Sequence, residues 1–167
     1  MMWRELLTGY NLYKGVTVKK VEEHRERLAY VIENLNSLKP NSIIIVEGKT
    51  DKLVLQPLIS NYIRISTIVN LNKLLMENKV HREYLILTDF DGEGKKLHKY
   101  VKNKLLGNGI SENFIRDDIR NTIRKYLTLY GYGIYDGLSS LIKKANVNPE
   151  KFKVNVLSRY LYILDDE

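Results

Sequence analysis

Short, fully apolar runs separated by amphipathic segments constrain the fold of this chain more than any other feature. Ile43–Val46 is a β-branched run, and Tyr84–Thr88 is a second run with apolar residues at nearly every position. Runs of this kind are typical of strands that are buried on both faces of a parallel sheet. We therefore predict strands at 43–46, 62–69 and 84–88, connected by right-handed crossovers.

Amphipathic stretches between and around these runs predict helices. Apolar residues recur at steps of three and four over Thr17–Leu38, which indicates a long first helix. Further helices are predicted over Asp51–Ser60, Leu71–Asn78, Gly94–Leu106, Asn113–Tyr130, Gly137–Ala145 and Pro149–Leu164. The alternation predicts an α/β fold with a parallel sheet flanked by helices. We expect an N-terminal helical extension over residues 1–40, a central domain over 41–110 and a helical C-terminal extension over 111–167.

The balance of charges favours a polyanionic partner. Lysine and arginine exceed aspartate and glutamate by 27 to 20, which gives a formal net charge of +7. Basic side chains that neutralise phosphates release condensed counterions, although net charge alone is only a weak indication of nucleic-acid binding. No run approaches the roughly 18 consecutive apolar residues that a membrane span requires. We therefore expect a soluble, cytoplasmic protein without a membrane partner.

The absence of cysteine restricts the metal chemistry of the chain. Without thiols, disulfides and thiolate metal sites are excluded. The histidines, His24, His81 and His98, do not follow a recognisable zinc spacing. A bound metal would therefore be a hard cation with oxygen ligands, Mg2+ or Mn2+.

Acidic residues directly follow two of the predicted strands. Glu47 comes after the run 43–46, and Asp89 and Asp91 lie at the end of the third predicted strand. Residues i and i+2 of an extended segment project on the same side, so both aspartates can meet one cation. If the two strands are neighbours, Glu47 faces the same patch, and the three carboxylates repel one another unless a divalent cation neutralises them. Taken alone, however, an Asp-x-Asp pair more often only begins a helix.

The two segments together, IIIVEGKTDKLVL and LILTDFDGEGKKL, resemble the two acidic motifs of the Toprim family. This family includes topoisomerases, bacterial primases, OLD-type nucleases and small primase-like proteins such as the 5S ribosomal RNA maturase. The chain is most similar to the small primase-like group, and the resemblance extends from Ile43 to Gly107. It implies a Rossmann-like parallel sheet with Mg2+ as cofactor and Mn2+ as a substitute.

The resemblance also implies roles for individual residues. Glu47 falls where the family has a general acid/base that also ligates metal, and Asp89 and Asp91 fall where paired aspartates hold magnesium. Glu93 corresponds to a third acidic residue of the topoisomerase members. Asp51 in the first motif has either a functional role or the simpler one of complementing a helix dipole.

The chain departs from the small primase-like group after the second motif. Phe90, Leu97 and His98 stand where that group has proline, isoleucine and arginine. The departure puts the phosphate contact of that arginine in doubt, although nearby lysines could replace it with a less fixed geometry. The lysines predicted to contact nucleic acid are Lys49, Lys95, Lys96 and Lys99.

Three arginines form a second group of predicted nucleic-acid contacts. Arg116, Arg120 and Arg124 recur at steps of four and form a stripe beside the apolar residues of their predicted helix. Guanidinium groups suit bidentate contacts with phosphate. Asp117 and Asp118, however, are close enough in the sequence to pair with them, so a purely structural role remains open.

Four tyrosines, at positions 126, 130, 132 and 135, cluster in the C-terminal part of the chain. Tyrosines can stack on unpaired bases. Packing in the C-terminal core or at a subunit interface is the commoner role, and we favour it here.

The predicted function is Mg2+-dependent hydrolysis of phosphodiester bonds in nucleic acid, with structured RNA favoured over DNA. Asp89, Asp91 and Glu93 would hold the metal, and Glu47 would ligate it or move a proton. Two alternatives use the same carboxylates: a non-catalytic Toprim module that binds nucleic acid, and nucleotidyl transfer of the primase kind. The apolar faces of the first and last helices leave a homo-oligomer open.

Overall fold

A three-stranded parallel sheet organises residues 15–77 and 82–165, which are the part of the chain that the computed structural model describes. The strands are β1 (Ile43–Val46), β2 (Arg64–Thr67) and β3 (Tyr84–Leu87). Their order in the sheet is β2-β1-β3. Val46 at the end of β1 lies opposite Thr67 of β2 and Leu87 of β3. The carboxyl ends of all three strands therefore meet at one edge of the sheet.

Helices surround this sheet. They are α1 (Gly15–Leu35), α2 (Lys49–Leu55), α3 (Leu71–Leu75), α4 (Gly92–Gly107), α5 (Asp117–Leu127), α6 (Ile134–Ala145) and α7 (Pro149–Asp165). Short 3-10 turns occur at Gln56–Leu58, Ile68–Asn70 and Glu112–Phe114. Within the described residues, none of these helices is both long and apolar enough to cross a membrane.

The sheet is covered on both faces, which explains why β1 and β3 are apolar at consecutive positions. Ile44 and Val46 join a core cluster with apolar residues of α1, α5, α6 and α7. Ile43 and Ile45 point to the opposite face and join a second cluster, which includes residues of α3 and α4. All four side chains of β1 are fully buried. Burial of this much apolar surface is the main source of stability for the sheet.

The predicted fold class is confirmed. The chain forms an α/β fold with a parallel sheet, a helix before it and helices after it, and this arrangement is consistent with a Toprim-like fold. The boundaries at residues 40 and 110 stay predictions. Residues 1–14 of the predicted N-terminal extension, Asn78 of a predicted helix, and His81 lie outside the described residues.

Two predicted helices differ from the structure because long-range hydrogen bonds set their ends. The first ends at Leu35 instead of Leu38, since the Asn36 side chain donates to the distant carbonyl of Leu58 at 2.9 Å, besides the local carbonyl of Ile32 at 2.8 Å. The helix predicted from Asn113 begins at Asp117, since Ile115 forms a β-bridge with Tyr84. Propensity along the chain carries no information about either contact.

Three other elements are also shorter in the structure than the sequence predicted. The second strand covers 64–67 instead of 62–69, because a 3-10 turn follows it at Ile68–Asn70. The helix predicted over 51–60 becomes α2 and a 3-10 turn that contains Pro57, a residue without an N–H to continue the helix. The helix predicted from Leu71 ends at Leu75.

Candidate functional site

The two acidic motifs meet at the carboxyl edge of the sheet. Glu47 follows β1 and Asp89 follows β3, and these two strands are hydrogen-bonded neighbours. The main-chain N–H of Asp89 donates to Oε1 of Glu47 at 3.1 Å. Asp91 caps α4, since its Oδ1 accepts a hydrogen bond from the N–H of Gly94 at 2.7 Å. The juxtaposition expected from the sequence is therefore present.

An open cleft of about 430 Å³ contains Glu47 and Asp89 together with further acidic residues. Asp51 of α2 and Asp136 of α6 line the same cleft, as does Tyr135. Asp51 is buried, and its Oδ2 accepts a hydrogen bond from the N–H of Gly48 at 3.1 Å. The cleft therefore combines residues of the Toprim-like segment with residues of α6, far along the chain.

Negative charge is concentrated in this cleft. Burial raises the pKa of Glu47 above its usual value, and the charges of Asp89, Asp51 and Asp91 act in the same direction. Burial likewise raises the pKa of Asp51, with additional repulsion from Asp89 and Asp136. A divalent cation would relieve this mutual repulsion, because it favours the charged form of every nearby carboxylate.

The donor chemistry of the cleft fits a hard cation, since carboxylate oxygens are the ligands that Mg2+ prefers. Among the side chains described over residues 20–77 and 82–159, no three histidine or acidic groups already stand in a metal-binding cluster. The predicted ligands Asp89 and Asp91 are instead held by separate main-chain N–H groups. Glu93 is exposed in the first turn of α4 and pairs with Lys96 at 3.4 Å. A metal role for these residues stays a prediction.

A close backbone approach fixes the loop that carries Asp89 and Asp91. A Cβ atom on Gly94 would lie only 1.9 Å from the carbonyl oxygen of Asp89, so only glycine fits there. The Thr88 hydroxyl donates to the Gly94 carbonyl at 2.6 Å and closes the same turn. The glycine of the second motif therefore shapes the loop between β3 and α4.

The buried side chain of Arg120 holds this loop from within the protein. Nη1 donates to the carbonyls of Ile86 and Thr88, at 3.1 and 2.8 Å, and Nη2 donates to the carbonyl of Asp89 at 3.2 Å. The guanidinium also lies 4.9 Å from the ring centroid of Phe90. Burial lowers the pKa of Arg120 to about 10, which leaves it charged at neutral pH. Its contacts are those of a positioning residue.

The N-terminus of α6 reaches the same loop from the opposite direction. The N–H of Ile134 donates to Oδ1 of Asp89 at 2.9 Å, and the N–H of Phe90 donates to the carbonyl of Tyr132 at 2.7 Å. Sequence reasoning missed this contact, because a main-chain donor leaves no side-chain pattern. Gly131 and Gly133 in the sequence indicate a turn before this helix, but they do not indicate which residues the turn contacts.

Comparison with known proteins identifies the family. UPF0292 protein TK1411 of Thermococcus kodakarensis is 31% identical over 116 residues, which are 65% of this chain and 85% of that protein. The chain belongs to the UPF0292 family. No protein-family model and no solved structure matches it.

This UPF0292 chain is also similar to two further proteins, but it covers a smaller share of their length. UPF0292 protein PF1724 of Pyrococcus furiosus is 37% identical over 87 residues, which are 51% of this chain and 64% of that protein. Ribonuclease M5 of Mycoplasma mycoides subsp. mycoides is 37% identical over 123 residues, 66% of this chain and 62% of that protein. The chain thus spans less than two thirds of each of these two relatives.

The basic residues of the UPF0292 chain that were predicted to bind nucleic acid occupy different environments. Lys49, Lys95, Lys96, Lys99 and Arg124 are exposed. Arg116 forms ion pairs with Glu83 and Asp118, each at 2.9 Å, beside the start of β3. Arg120 is buried, as described above. Nucleic-acid contact stays a prediction for the whole group, and only its exposed members are readily accessible to solvent in this structure.

The four tyrosines separate into two pairs. Tyr126 stacks on Tyr30 of α1 with ring centroids 5.4 Å apart, and the hydroxyl of Tyr130 contacts His24 and Arg27. Tyr132 and Tyr135 are 65% and 47% exposed. The first pair is partly buried and packs against the core, in line with the packing role favoured from the sequence, while Tyr135 lines the acidic cleft.

Asp136 is an acidic residue of the cleft that sequence reasoning did not select. It lies in the first turn of α6, outside the segment that resembles the Toprim motifs, and no spacing relates it to them. Only the fold brings it beside Asp51, where its charge contributes to the raised pKa of that carboxyl.

Proposed function

We propose that this protein is a Toprim nuclease that hydrolyses phosphodiester bonds in structured RNA with Mg2+ as cofactor. The observation that carries the proposal is the hydrogen bond from the Asp89 N–H to Glu47, which joins both acidic motifs in one cleft. This cleft lies at the carboxyl ends of parallel strands, where ligands bind in α/β folds. The choice of RNA is supported by similarity to a protein named as a ribonuclease.

Glu47, Asp89 and Asp91 would hold the cation, with Glu93 at the margin of the site. Bound Mg2+ would stabilise the charge that develops on the scissile phosphate and assist deprotonation of the attacking water. Glu47 accepts a hydrogen bond from the loop that carries both aspartates, which supports a role for it in moving a proton there. Arg120 and the Ile134 N–H keep Asp89 in position.

A cleavage assay tests this proposal. Labelled structured RNA, duplex DNA and single strands are incubated with Mg2+, Mn2+ or EDTA, and Asp89→Asn/Asp91→Asn is compared with wild type. A matched control, Glu23→Gln/Glu26→Gln, removes two exposed charges from α1, away from the cleft. We expect metal-dependent cutting of RNA by wild type and control, and none by the aspartate variant.

The same assay identifies the alternatives. Binding without cutting under every condition would indicate a non-catalytic nucleic-acid-binding module. Growth of the labelled strand that requires added nucleoside triphosphates would indicate nucleotidyl transfer. Cutting that survives replacement of both aspartates would reject the proposed site.

A further inference from the structure

A second cleft lies beside the acidic one and carries the opposite charge. It has a volume of about 260 Å³ and lies between α4 and α5. Lys95 comes from α4, and Asn121 and Arg124 come from α5. Phe90 and the buried guanidinium of Arg120 also line it, and Arg120 donates to the carbonyl of Asp89. This basic cleft and the acidic cleft therefore share one loop, residues 88–91.

The only acidic residue lining the basic cleft, within the described ranges, is already neutralised by the protein. Asp117 Oδ1 lies 2.8 Å from His98 Nε2, and Oδ2 accepts a hydrogen bond from Lys102 at 2.8 Å. Burial acts to raise the pKa of Asp117, but the hydrogen bonds from Lys102 and His98 outweigh it and hold the pKa below its usual value. Asp117 therefore stays a paired carboxylate.

Lys95 and Arg124 have no such internal partner. Both are exposed, and neither forms an ion pair with any of the side chains that the structure describes, over residues 20–77 and 82–159. Their charges face a cleft whose base already contains a buried guanidinium. The basic cleft thus has two cations available for an external anion, and the Asn121 side chain in its lining is a further, neutral donor.

We propose that the basic cleft is a phosphate subsite, which holds a phosphodiester group of the RNA strand adjacent to the bond cleaved in the acidic cleft. The identity of the strand rests on the proposed function. A polynucleotide carries a phosphate at every nucleotide, so a strand lying across the loop 88–91 places neighbouring phosphates beside it. Without a bound cation, the carboxylates on one side of this loop repel phosphate, while Lys95 and Arg124 attract it on the other side.

The side chains of the basic cleft are suited to positioning an RNA strand, but not to recognising its base sequence. The guanidinium of Arg124 can contact two phosphate oxygens at once, and Lys95 supplies a point charge on a flexible stem. Contacts of this kind fix the register of a strand and contribute to affinity in a salt-dependent way. The cleft would thereby help to place the scissile phosphate over the acidic residues.

Binding measurements in EDTA test the subsite separately from cleavage. The probe is an RNA hairpin with a 5′-hydroxyl and a 3′-fluorescein, and its dissociation constant is measured by anisotropy over a series of salt concentrations. Lys95→Gln/Arg124→Gln is compared with Lys104→Gln/Lys125→Gln, which removes the same charge from exposed positions of α4 and α5 that do not line the cleft. All four side chains are exposed, and thermal unfolding verifies that both variants fold.

Losing two phosphate contacts should reduce the slope of log K against log salt by about 1.4 to 1.8. Near physiological salt this corresponds to affinity weakened on the order of tenfold. We expect this change for Lys95→Gln/Arg124→Gln, and a clearly smaller one for the control pair. An equal change in both variants would overturn the proposal, since it would show only a general effect of net charge.

A second arm distinguishes a backbone phosphate from a terminal one. The hairpin is also prepared with a 5′-phosphate, and the proposal predicts the same loss of affinity for both RNAs. A loss confined to the 5′-phosphorylated RNA would overturn the assignment to the backbone. Because binding is measured without metal, a selective loss would support the subsite even if no cleavage is found, and cleavage without a selective loss would reject the subsite alone.

Discussion

At the scale of single residues, close contacts of Gly94 and Arg120 hold the loop after β3 in one conformation. Gly94 approaches the carbonyl of Asp89 closely, and Arg120 donates to the carbonyls of Thr88 and Asp89. These contacts determine where the carboxylates of the second motif stand. Under the proposed function, the acidic residues would supply the chemistry, while Gly94 and Arg120, without a direct chemical role, would supply the geometry.

Replacement of Gly94 tests this argument against a control two residues away. A Cβ on Gly94 would lie 1.9 Å from main-chain oxygen, whereas a Cβ on Gly92 would meet nothing within 4 Å. We expect Gly94→Ala to lower the free energy of unfolding by about 1–3 kcal/mol or more and to abolish cleavage. Gly92→Ala should change stability by about 0.5 kcal/mol or less. Urea denaturation measures both, and equal effects would refute the close packing.

At the scale of elements, α6 is part of the candidate active site and not only a cover for the core. Its first residue, Ile134, donates its N–H to Asp89, and its side chain is fully buried. The same helix contributes Asp136 to the acidic cleft. Its N-terminus therefore connects the packing of the C-terminal helices to the position of Asp89.

Ile134→Pro removes the N–H group that donates to Asp89 and changes the helix itself little. Proline is favoured at the first position of a helix, and Gly133 before it is already extended, as proline requires. We expect Ile134→Pro to lower the cleavage rate about 10- to 100-fold, the usual effect of losing a supporting hydrogen bond.

The matched control for this change is Ile134→Ala, which keeps the N–H but loses packing. It should cost about 2–4 kcal/mol of stability and retain cleavage at temperatures where it is folded. Circular dichroism verifies the folded fraction of each variant. Equal rates for the two variants would show that the hydrogen bond to Asp89 is unimportant.

The docking of α1 provides a prediction about pH. His24 of α1 lies 2.6 Å through Nδ1 from the hydroxyl of Tyr130, and burial, followed by the charges of Lys144 and Arg27, lowers its pKa. A histidine with a lower pKa in the folded state than in the unfolded state favours folding while it is neutral. Its contribution is therefore complete above the unfolded pKa of about 6.5 and is lost as the pH falls through the lower, folded pKa.

The free energy of unfolding should therefore decrease more steeply between pH 7.5 and 5 for wild type than for His24→Gln. Urea denaturation of both proteins at several pH values measures the difference, in which the titration of all other groups cancels. A difference between the two proteins that does not change with pH would contradict the lowered pKa of His24.

At the scale of the whole molecule, the apolar runs in the sequence predicted the strands of the sheet. Contacts between distant segments determined where two of the helices begin or end. Ile43–Val46 matches β1 because burial on both faces requires apolar residues at every position. The ends of α1 and α5 were wrong because Asn36 and Ile115 bond to distant segments. The spacing of apolar residues along the chain contains no information about such contacts.

The candidate site likewise has contacts that the sequence predicts and contacts that depend on how the helices pack. The meeting of Glu47 and Asp89 was predictable, because parallel neighbouring strands end at one edge of the sheet. The contributions of Ile134 and Asp136 were not, since each depends on how α6 packs against a loop more than forty residues earlier in the chain. The basic cleft likewise exists only because α5 lies beside α4.

The measurement that tests the central claim most directly is a double-mutant cycle on Mg2+-dependent RNA cleavage. Glu47→Gln, Asp89→Asn and the combined variant are compared with wild type under single-turnover conditions. If both motifs form one catalytic unit, each single change should lower the rate about 100-fold or more, and the combined variant should be little slower than the worse single variant. Full activity of Glu47→Gln, or independent effects that multiply, would contradict a single site.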